Sequence, residues 1–291
     1  MQLYWQDLCR ACGVCRTWRR VGLRKQLWRE LDLDLHDVEE DADADEAALE
    51  AVLEGMLRQV ARAQGELRVF HCGNTFVNGL GSSFCLDAGV TKETLRLNPN
   101  LASISCDTST FLLSQEDVLQ AFGAHDETEL VDRVCSLDEM TANETMCALV
   151  PFQLLFSGSF INERGSYLSD IYVTARLPII RATLRRLQGS TCPWLHVAGL
   201  HVLHEIISFS LSFYDDPWVF LTEDVDSLLQ ELAVRACASL KMFGNNRQVV
   251  VRAAMLLHVL PAPAESAIEA IVAIVAAMRT HATCKAVQLE C

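Results

Sequence analysis

Three cysteines near the start of the chain offer the sharpest candidate for chemistry. Cys9, Cys12 and Cys15 follow one another at three-residue steps, and thiolates at that spacing could share a zinc ion or an iron–sulfur cluster. A structural zinc site would need a further ligand, and the nearest options, His36 and the His71–Cys72 pair, stand at no characteristic spacing. The same steps also place the thiols along the apolar side of one helix. We favour this second interpretation and expect no metal.

Three histidines form a second candidate site. His196, His201 and His204 fall on one predicted helix, where His201 and His204 are neighbours three residues apart. Only Glu205 stands nearby to orient such ligands, and the sequence lacks the H-E-x-x-H pattern of zinc hydrolases. We therefore interpret these histidines as surface or groove residues.

The remaining candidates for catalysis are weaker. The segment Gly79-Leu-Gly81-Ser-Ser lacks the Gly-Lys-Ser/Thr ending of a phosphate-binding loop. The His71–Cys72 pair has no thiol-protease signature around it, and Cys72 recurs at Cys106 as part of a repeated motif. We predict no catalytic residue and no cofactor, and hence a chain that is not an enzyme.

Composition and charge narrow the possible partners. The 291 residues are 51% hydrophobic and 21% charged, which is typical of a globular protein. The net charge of -14 would repel a phosphate backbone, so no nucleic-acid partner is expected. The sequence has no run of 18 apolar residues, and Arg10, Arg16, Arg19 and Arg20 interrupt the region where a secretion signal would be apolar. These features predict a cytoplasmic and/or nuclear protein without a membrane partner, whose twelve cysteines are mostly buried thiols.

Four segments differ in composition. Residues 1–36 are basic and rich in Leu, Trp and Arg, and residues 37–65 begin as an acidic linker and continue as a helix. Residues 66–165 contain many glycines between short apolar stretches, and residues 168–291 carry helical periodicity. The chain is therefore predicted to be mainly α, with an irregular α/β segment before the helical one.

A repeated motif marks the irregular segment. Leu67-Arg-Val-Phe70-His-Cys72 and Leu101-Ala-Ser-Ile104-Ser-Cys106 both follow the pattern L-x-x-Φ-x-C, and a hydroxyl residue comes three positions after each cysteine. The pattern predicts two short strands of a leucine-rich repeat of the cysteine-containing kind. Their separation exceeds a single repeat, so an insertion is expected between them, and two units are too few to be stable alone.

The helical segment also has an internal period. Val225–Leu229 matches Ala267–Ile271 at a distance of 42 residues, and Val249–Ala253 matches Val287–Cys291 at a distance of 38. Such unit lengths suit armadillo or HEAT repeats, in which each unit buries its apolar face against its neighbours. Antiparallel helix pairs joined by short turns are expected.

The end of the chain resembles an armadillo repeat. The apolar segment 267–278, followed by Arg279-Thr-His281 and then by Ala286-Val-Gln288, is similar to the second and opening third helix of such a repeat. This resemblance implies an armadillo-like α–α superhelix over residues 168–291. Because a terminal repeat normally carries a polar outer face, and none is evident here, we expect the protein to continue further.

The beginning of the chain resembles the C-terminal part of an F-box. Val14-Cys15-Arg16-Thr-Trp18, followed by Leu27-Trp28-Arg29-Glu30-Leu31, is similar to that motif, although the Leu-Pro pair that opens an F-box is missing. The resemblance implies binding to a Skp1-like adaptor through Leu8, Cys15, Trp18, Leu27 and Trp28. The order of the three segments is similar to that of F-box/leucine-rich-repeat proteins and of the zyg-11 group of ubiquitin-ligase substrate receptors.

The predicted function is that of a protein–protein interaction adaptor. Its most specific form is the substrate-recognition subunit of a cullin-type ubiquitin ligase that binds an unknown protein substrate, and the alternative is an armadillo scaffold unrelated to ubiquitination. In armadillo repeats the third helix lines the concave face, which implies groove candidates at Trp194, His196, His201, Asn245, Asn246 and Arg252.

Overall fold

The computed structural model describes residues 29–33, 58, 65–72, 97–106, 119–120, 122–156, 170–213, 225–260, 264–284 and 287–288. The chain divides into two compact units: residues 1–125 with 159–167, and residues 126–158 with 168–291. The described residues are mainly helical, which confirms the predicted fold class at that level. The second unit takes in residues 126–158 as well as residues 168–291.

The first unit contains a three-stranded parallel sheet. Its strands are β1 (Glu30–Leu33), β2 (Val69–Cys72) and β3 (Ser103–Cys106), and they pair in chain order. The two segments predicted to be strands are β2 and β3. Phe70 lies opposite Ile104 and Cys72 opposite Cys106, so the two copies of the motif are paired in register. Leu67, Phe70, Leu101 and Ile104 are buried, as the apolar positions of the motif require.

A third copy of the strand, β1, was not predicted. The carbonyl of Arg29 accepts hydrogen bonds from the backbone N–H groups of Arg68 and Val69, at 2.7 and 3.0 Å. The carbonyl of Arg68 in turn accepts from Ala102 and Ser103 at the same two distances. The residues that lead into β2 and into β3 therefore make the same pair of backbone hydrogen bonds, each pair to the residue that precedes the neighbouring strand. Leu33 replaces the cysteine of the motif, which explains why the sequence pattern did not reveal this copy.

The second unit is built from helices. Those in its described part are α1 (Glu127–Cys135), α2 (Ala142–Phe156), α3 (Asp170–Gln188), α4 (Pro193–Phe213), α5 (Val225–Phe243), α6 (Arg247–Val259) and α7 (Ala264–Thr280), with a 3-10 turn at Leu137–Glu139. Side-chain caps start several of them. Asp126 accepts from the N–H of Glu129 at the start of α1, and Thr141 and Glu144 form a reciprocal capping box before α2.

The helices pack in two layers. Odd-numbered helices contact one another in the order α1, α3, α5 and α7, and even-numbered helices do so in the order α2, α4 and α6. Successive helices pack across the layers within the pair α1 and α2 and from α3 onwards. The linkers between α3 and α4 and between α5 and α6 are only three or four residues long. Neither has room for a third helix, so the repeating unit there is a helix pair.

The core of this unit lies along α4. Every residue of α4 from Leu195 to Leu203 is buried, and the helix is apolar around most of its circumference, as expected of a helix enclosed by its neighbours. α2 and α6 flank α4 within the even layer, and α3 packs against it as its hairpin partner.

The described cysteines differ from the prediction that most are buried. Cys237 is buried, Cys192 and Cys284 are half-buried, and Cys135 and Cys147 are exposed, all as free thiols. The irregular spacing predicted free thiols and no disulfide framework, and these five cysteines are free thiols. Cys135, Cys147 and Cys237 lie on helices, where the face on which each falls sets its exposure, and Cys192 and Cys284 lie in the connections outside them.

Candidate functional site

The F-box-like residues Leu8, Cys15, Trp18, Leu27 and Trp28 lie outside the described residues, and so do Cys9, Cys12 and His36. The predicted adaptor-binding motif and the cysteine cluster therefore stay predictions. Among the described residues, no group of three or more His, Cys, Asp or Glu side chains is arranged to hold a metal ion.

Three of the six groove candidates are buried. His196 is 2% exposed, His201 is 1% exposed and Arg252 is 7% exposed. These side chains lie inside the helical unit and are not available to a partner in this conformation. The sequence interpretation placed the histidines at the surface or at a groove. In the structure the middle of α4 is buried on all sides, so no side of it is open to a partner.

His196 connects α4 to two other parts of the unit. Its Nδ1 lies 2.8 Å from the hydroxyl of Ser239 on α5, its Nε2 donates to the carbonyl of Ser190 at 3.1 Å, and its ring packs on Phe243. Burial lowers the pKa of His196, although the hydrogen bond to Ser190 opposes that shift. The residue therefore acts as a buried tie between helices.

His201, His204 and Glu205 form a polar cluster on α4. The same carboxylate oxygen of Glu205 accepts from His201 Nε2 at 3.3 Å and from His204 Nδ1 at 3.1 Å. Burial and the nearby guanidinium of Arg252 lower the pKa of His201 to about 3, so the imidazole is neutral. Burial alone would raise the pKa of Glu205, but the hydrogen bonds from the two histidines hold it below its usual value.

The same cluster resembles an activated serine only superficially. Ser208 Oγ lies 3.2 Å from His204 Nε2, and His204 Nδ1 bonds Glu205, which is the order of contacts in a hydrolase triad. All three residues, however, lie within two turns of one helix, whose backbone N–H groups bond within the helix and are not available as an oxyanion hole. The geometry indicates a satisfied buried network rather than a catalytic site.

The other three groove candidates lie at helix starts. Asn246 caps α6, because its side-chain oxygen accepts from the N–H groups of Gln248 and Val249. Trp194 is half-buried in the first turn of α4. Asn245 is exposed and lines a groove of about 330 Å³ between the C-terminal halves of α5 and α7. The structure thus brings one of the six candidates to an open groove.

The largest exposed apolar surface of the described residues lies beside this groove. α7 exposes Ile268 (69%), Ile271 (60%), Val272 (64%) and Val275, and α5 exposes Val234 and Met242. The four α7 residues follow the spacing i, i+3, i+4, i+7, so they form one continuous stripe along the helix. Val272 and Met242 both line the groove. We name the α7 stripe together with Met242 the apolar face.

α7 exposes four bulky residues on one side, and its inner side combines small residues with the half-buried Ile274 and Met278. Ala277 is buried, Ala270 and Ala273 are half-buried, and the branched side chains of the stripe point away from the unit. Leaving such side chains in water forgoes roughly 1.5–3 kcal/mol for each one that could be buried. Contiguous exposed apolar patches on globular proteins mark interaction surfaces. This arrangement makes the apolar face the candidate site of the described chain.

Known families, curated proteins and solved structures give no match to this chain. In the part of the chain that the structure describes, no helix combines the length and the apolar character needed to cross a bilayer.

The sequence interpretation did not single out the apolar face. A signal was present, because residues 268, 271, 272 and 275 have helical spacing and both sides of α7 are apolar. The sequence interpretation noted only that this terminal repeat lacks a polar outer face, without naming the residues that are exposed. Which side of such a helix is covered depends on the neighbouring helices, and these are not visible in the periodicity.

Proposed function

We propose that this protein is a protein–protein interaction adaptor, whose stacked helix pairs and apolar face bind other proteins. The observation that carries the proposal is the apolar face itself, since contiguous exposed aliphatic side chains such as Ile268, Ile271, Val272 and Val275 mark an interaction surface. The alternating contacts of odd and even helices support an α–α superhelix, an architecture that presents extended surfaces to partners.

The more specific proposal is a substrate-recognition subunit of a cullin-type ubiquitin ligase, acting in the cytoplasm and/or nucleus. Three features support it: the F-box-like sequence around Trp18 and Trp28, the in-register parallel strands β1 to β3 of leucine-rich-repeat character, and the helix pairs that follow them. In this proposal the F-box-like segment binds a Skp1-like adaptor, and the helical unit holds the protein substrate. The ubiquitin chemistry belongs to the partners.

Co-purification of the full-length chain with a Skp1-like adaptor tests the ligase proposal. We expect a stoichiometric complex that Trp18→Ala and Trp28→Ala each weaken at least roughly tenfold, since buried aromatic residues dominate binding energy at interfaces. Trp194→Ala, the same substitution in the helical unit, is the matched control and should leave capture unchanged. A full-length chain that fails to bind the adaptor would leave the protein as a scaffold unrelated to ubiquitination.

A further inference from the structure

We infer that the apolar face is covered by a second copy of this chain, docked antiparallel about a two-fold axis. The inference rests on the proposed role of this face as a protein-interaction surface and names its partner. Three observations support it: the continuity of the stripe on α7, the common direction of α5 and α7, and the charges at the two ends of the apolar face.

The stripe continues the packing of the odd layer. α5 packs against α7 on one side of α7, and the exposed stripe occupies a further side of the same helix. A helix docked there would bury branched aliphatic side chains against similar ones. The α7 of a second copy offers such a surface, because a two-fold interface brings the same patch of both molecules together.

α5 and α7 run in the same direction. The groove between them is lined by the C-terminal ends of both, from Leu240 to Asn245 on α5 and from Val272 to Thr280 on α7. Just beyond these ends, His281 Nε2 donates to the carbonyl of Gly244 at 2.8 Å. The C-terminal ends of both helices therefore lie at the same end of the face.

The charges at the two ends of the face have opposite signs. Arg279 follows Ile268, Val272 and Val275 on the same side of α7, at the C-terminal end of the stripe, and is exposed. Glu231 is exposed on α5 eleven residues before Met242, which is three helical turns and hence the same side. Lys241 joins Arg279 at the basic end.

An antiparallel second copy matches this order. Along the apolar face the order is acidic end, aliphatic middle, basic end, so a complementary partner surface has the reverse order. The same face of a second copy, turned end to end, has that reverse order. The docking brings Arg279 of each copy towards Glu231 of the other. The net charge of -14 opposes association at long range, but salt screens such repulsion beyond roughly 8 Å at physiological ionic strength.

Sedimentation velocity of the full-length chain tests the inference. We expect a dimer whose dissociation constant rises at least roughly a hundredfold in Val272→Asp, because the carboxylate would be buried among aliphatic side chains. Arg181→Asp places a carboxylate at an exposed position of α3 and is the matched control. Thermal unfolding followed by circular dichroism verifies that both variants keep the wild-type fold.

Charge exchange tests the orientation. Arg279→Glu and Glu231→Arg should each weaken the dimer by roughly tenfold, and the double variant should restore wild-type dimerisation, because it recreates the two ion pairs with their signs exchanged. A double variant no better than either single one would overturn the antiparallel arrangement.

Three other results would overturn the inference as a whole. These are a wild-type chain that stays monomeric at all concentrations, an open-ended series of oligomers, and a monomer in which Val272→Asp abolishes binding of a different protein. The adaptor proposal is tested separately, since capture of a Skp1-like protein by Val272→Asp should match capture by the wild type. A monomeric chain that captures the Skp1-like adaptor would contradict only the dimer inference. A dimeric chain that fails to capture the adaptor would contradict only the ubiquitin-ligase proposal.

Discussion

At the residue scale, the buried polar side chains of α4 are the most informative feature. His196, His201 and Glu205 are nearly enclosed, yet their polar atoms have partners within α4 or on adjacent structure. A buried polar group without a hydrogen bond costs on the order of 1–3 kcal/mol. The contacts of these residues therefore define how α4 must sit against α5 and against the turn at Ser190.

Stability should fall as the pH is lowered, and His201 is a main cause. Its pKa is about 3 in the folded chain against 6.5 as the ordinary value, so between these values the unfolded chain binds a proton that the folded chain excludes. The stabilisation is complete above pH 6.5 and is lost as the pH falls towards 3, with a slope of up to about 1.4 kcal/mol per pH unit. Glu205 adds to the loss in the same direction below its ordinary value of 4.5.

Replacing His201 with glutamine should flatten this dependence between pH 6.5 and 4.5. Glutamine can still donate to Glu205 but does not titrate. Urea unfolding at a series of pH values measures the slope, and His258→Gln, which removes an exposed histidine of α6, is the control. Identical slopes for wild type and His201→Gln would show that another group carries the effect.

At the element scale, the start of α6 depends on Asn246. Its side chain accepts from two backbone N–H groups that the helix itself leaves without acceptors. Asn246→Ala should lower the free energy of unfolding by roughly 1 kcal/mol, and Asn246→Asp should lower it by much less, since aspartate caps equally well. Chemical denaturation measures both. Equal losses in the two variants would mean that the amide is needed for some contact other than the cap.

The hairpin of α3 and α4 depends on a close approach at Gly199. A Cβ there would lie 2.9 Å from Cδ2 of the buried Leu187. Gly199→Val should destabilise the unit by roughly 1–3 kcal/mol through overpacking. Adding Leu187→Ala should recover part of that loss, because it removes the atoms that clash.

Gly189 is the matched control for this close approach. It stands just after α3, and a Cβ there would meet no atom within 4 Å. Gly189→Val should therefore cost much less than Gly199→Val. If the two substitutions proved equally damaging in thermal unfolding, helix packing at Leu187 would not be the cause.

At the scale of the whole molecule, a dimeric adaptor has a functional consequence. Two copies joined through α7 would present two substrate-binding surfaces and two F-box-like segments. A substrate with two recognition segments would then be held with an effective concentration set by the spacing of the copies. We expect Val272→Asp to weaken the binding of such a substrate more than that of a substrate with a single segment.

The local features of this chain were determined by the sequence alone. Helical periodicity predicted a helical segment over residues 168–291, where the structure has α3 to α7, because apolar spacing and turn residues act between neighbours along the chain. The motif shared by Leu67–Cys72 and Leu101–Cys106 predicted the strands β2 and β3, and the structure pairs its two copies in register. β1 was not recognised as a further copy of the motif, because Leu33 stands where the other two copies have a cysteine. The backbone pairing of β1 does not depend on that side chain.

Only the tertiary structure decided which side chains meet water. The histidines of α4 were expected at the surface or at a groove, but α2, α3 and α6 pack around this helix, and His196 and His201 are buried. The stripe on α7 reads as core, yet within the described chain no helix covers it. The physical reason is the same in both cases: burial depends on contacts between segments far apart in the chain, and a helical period specifies a face without specifying what lies against it.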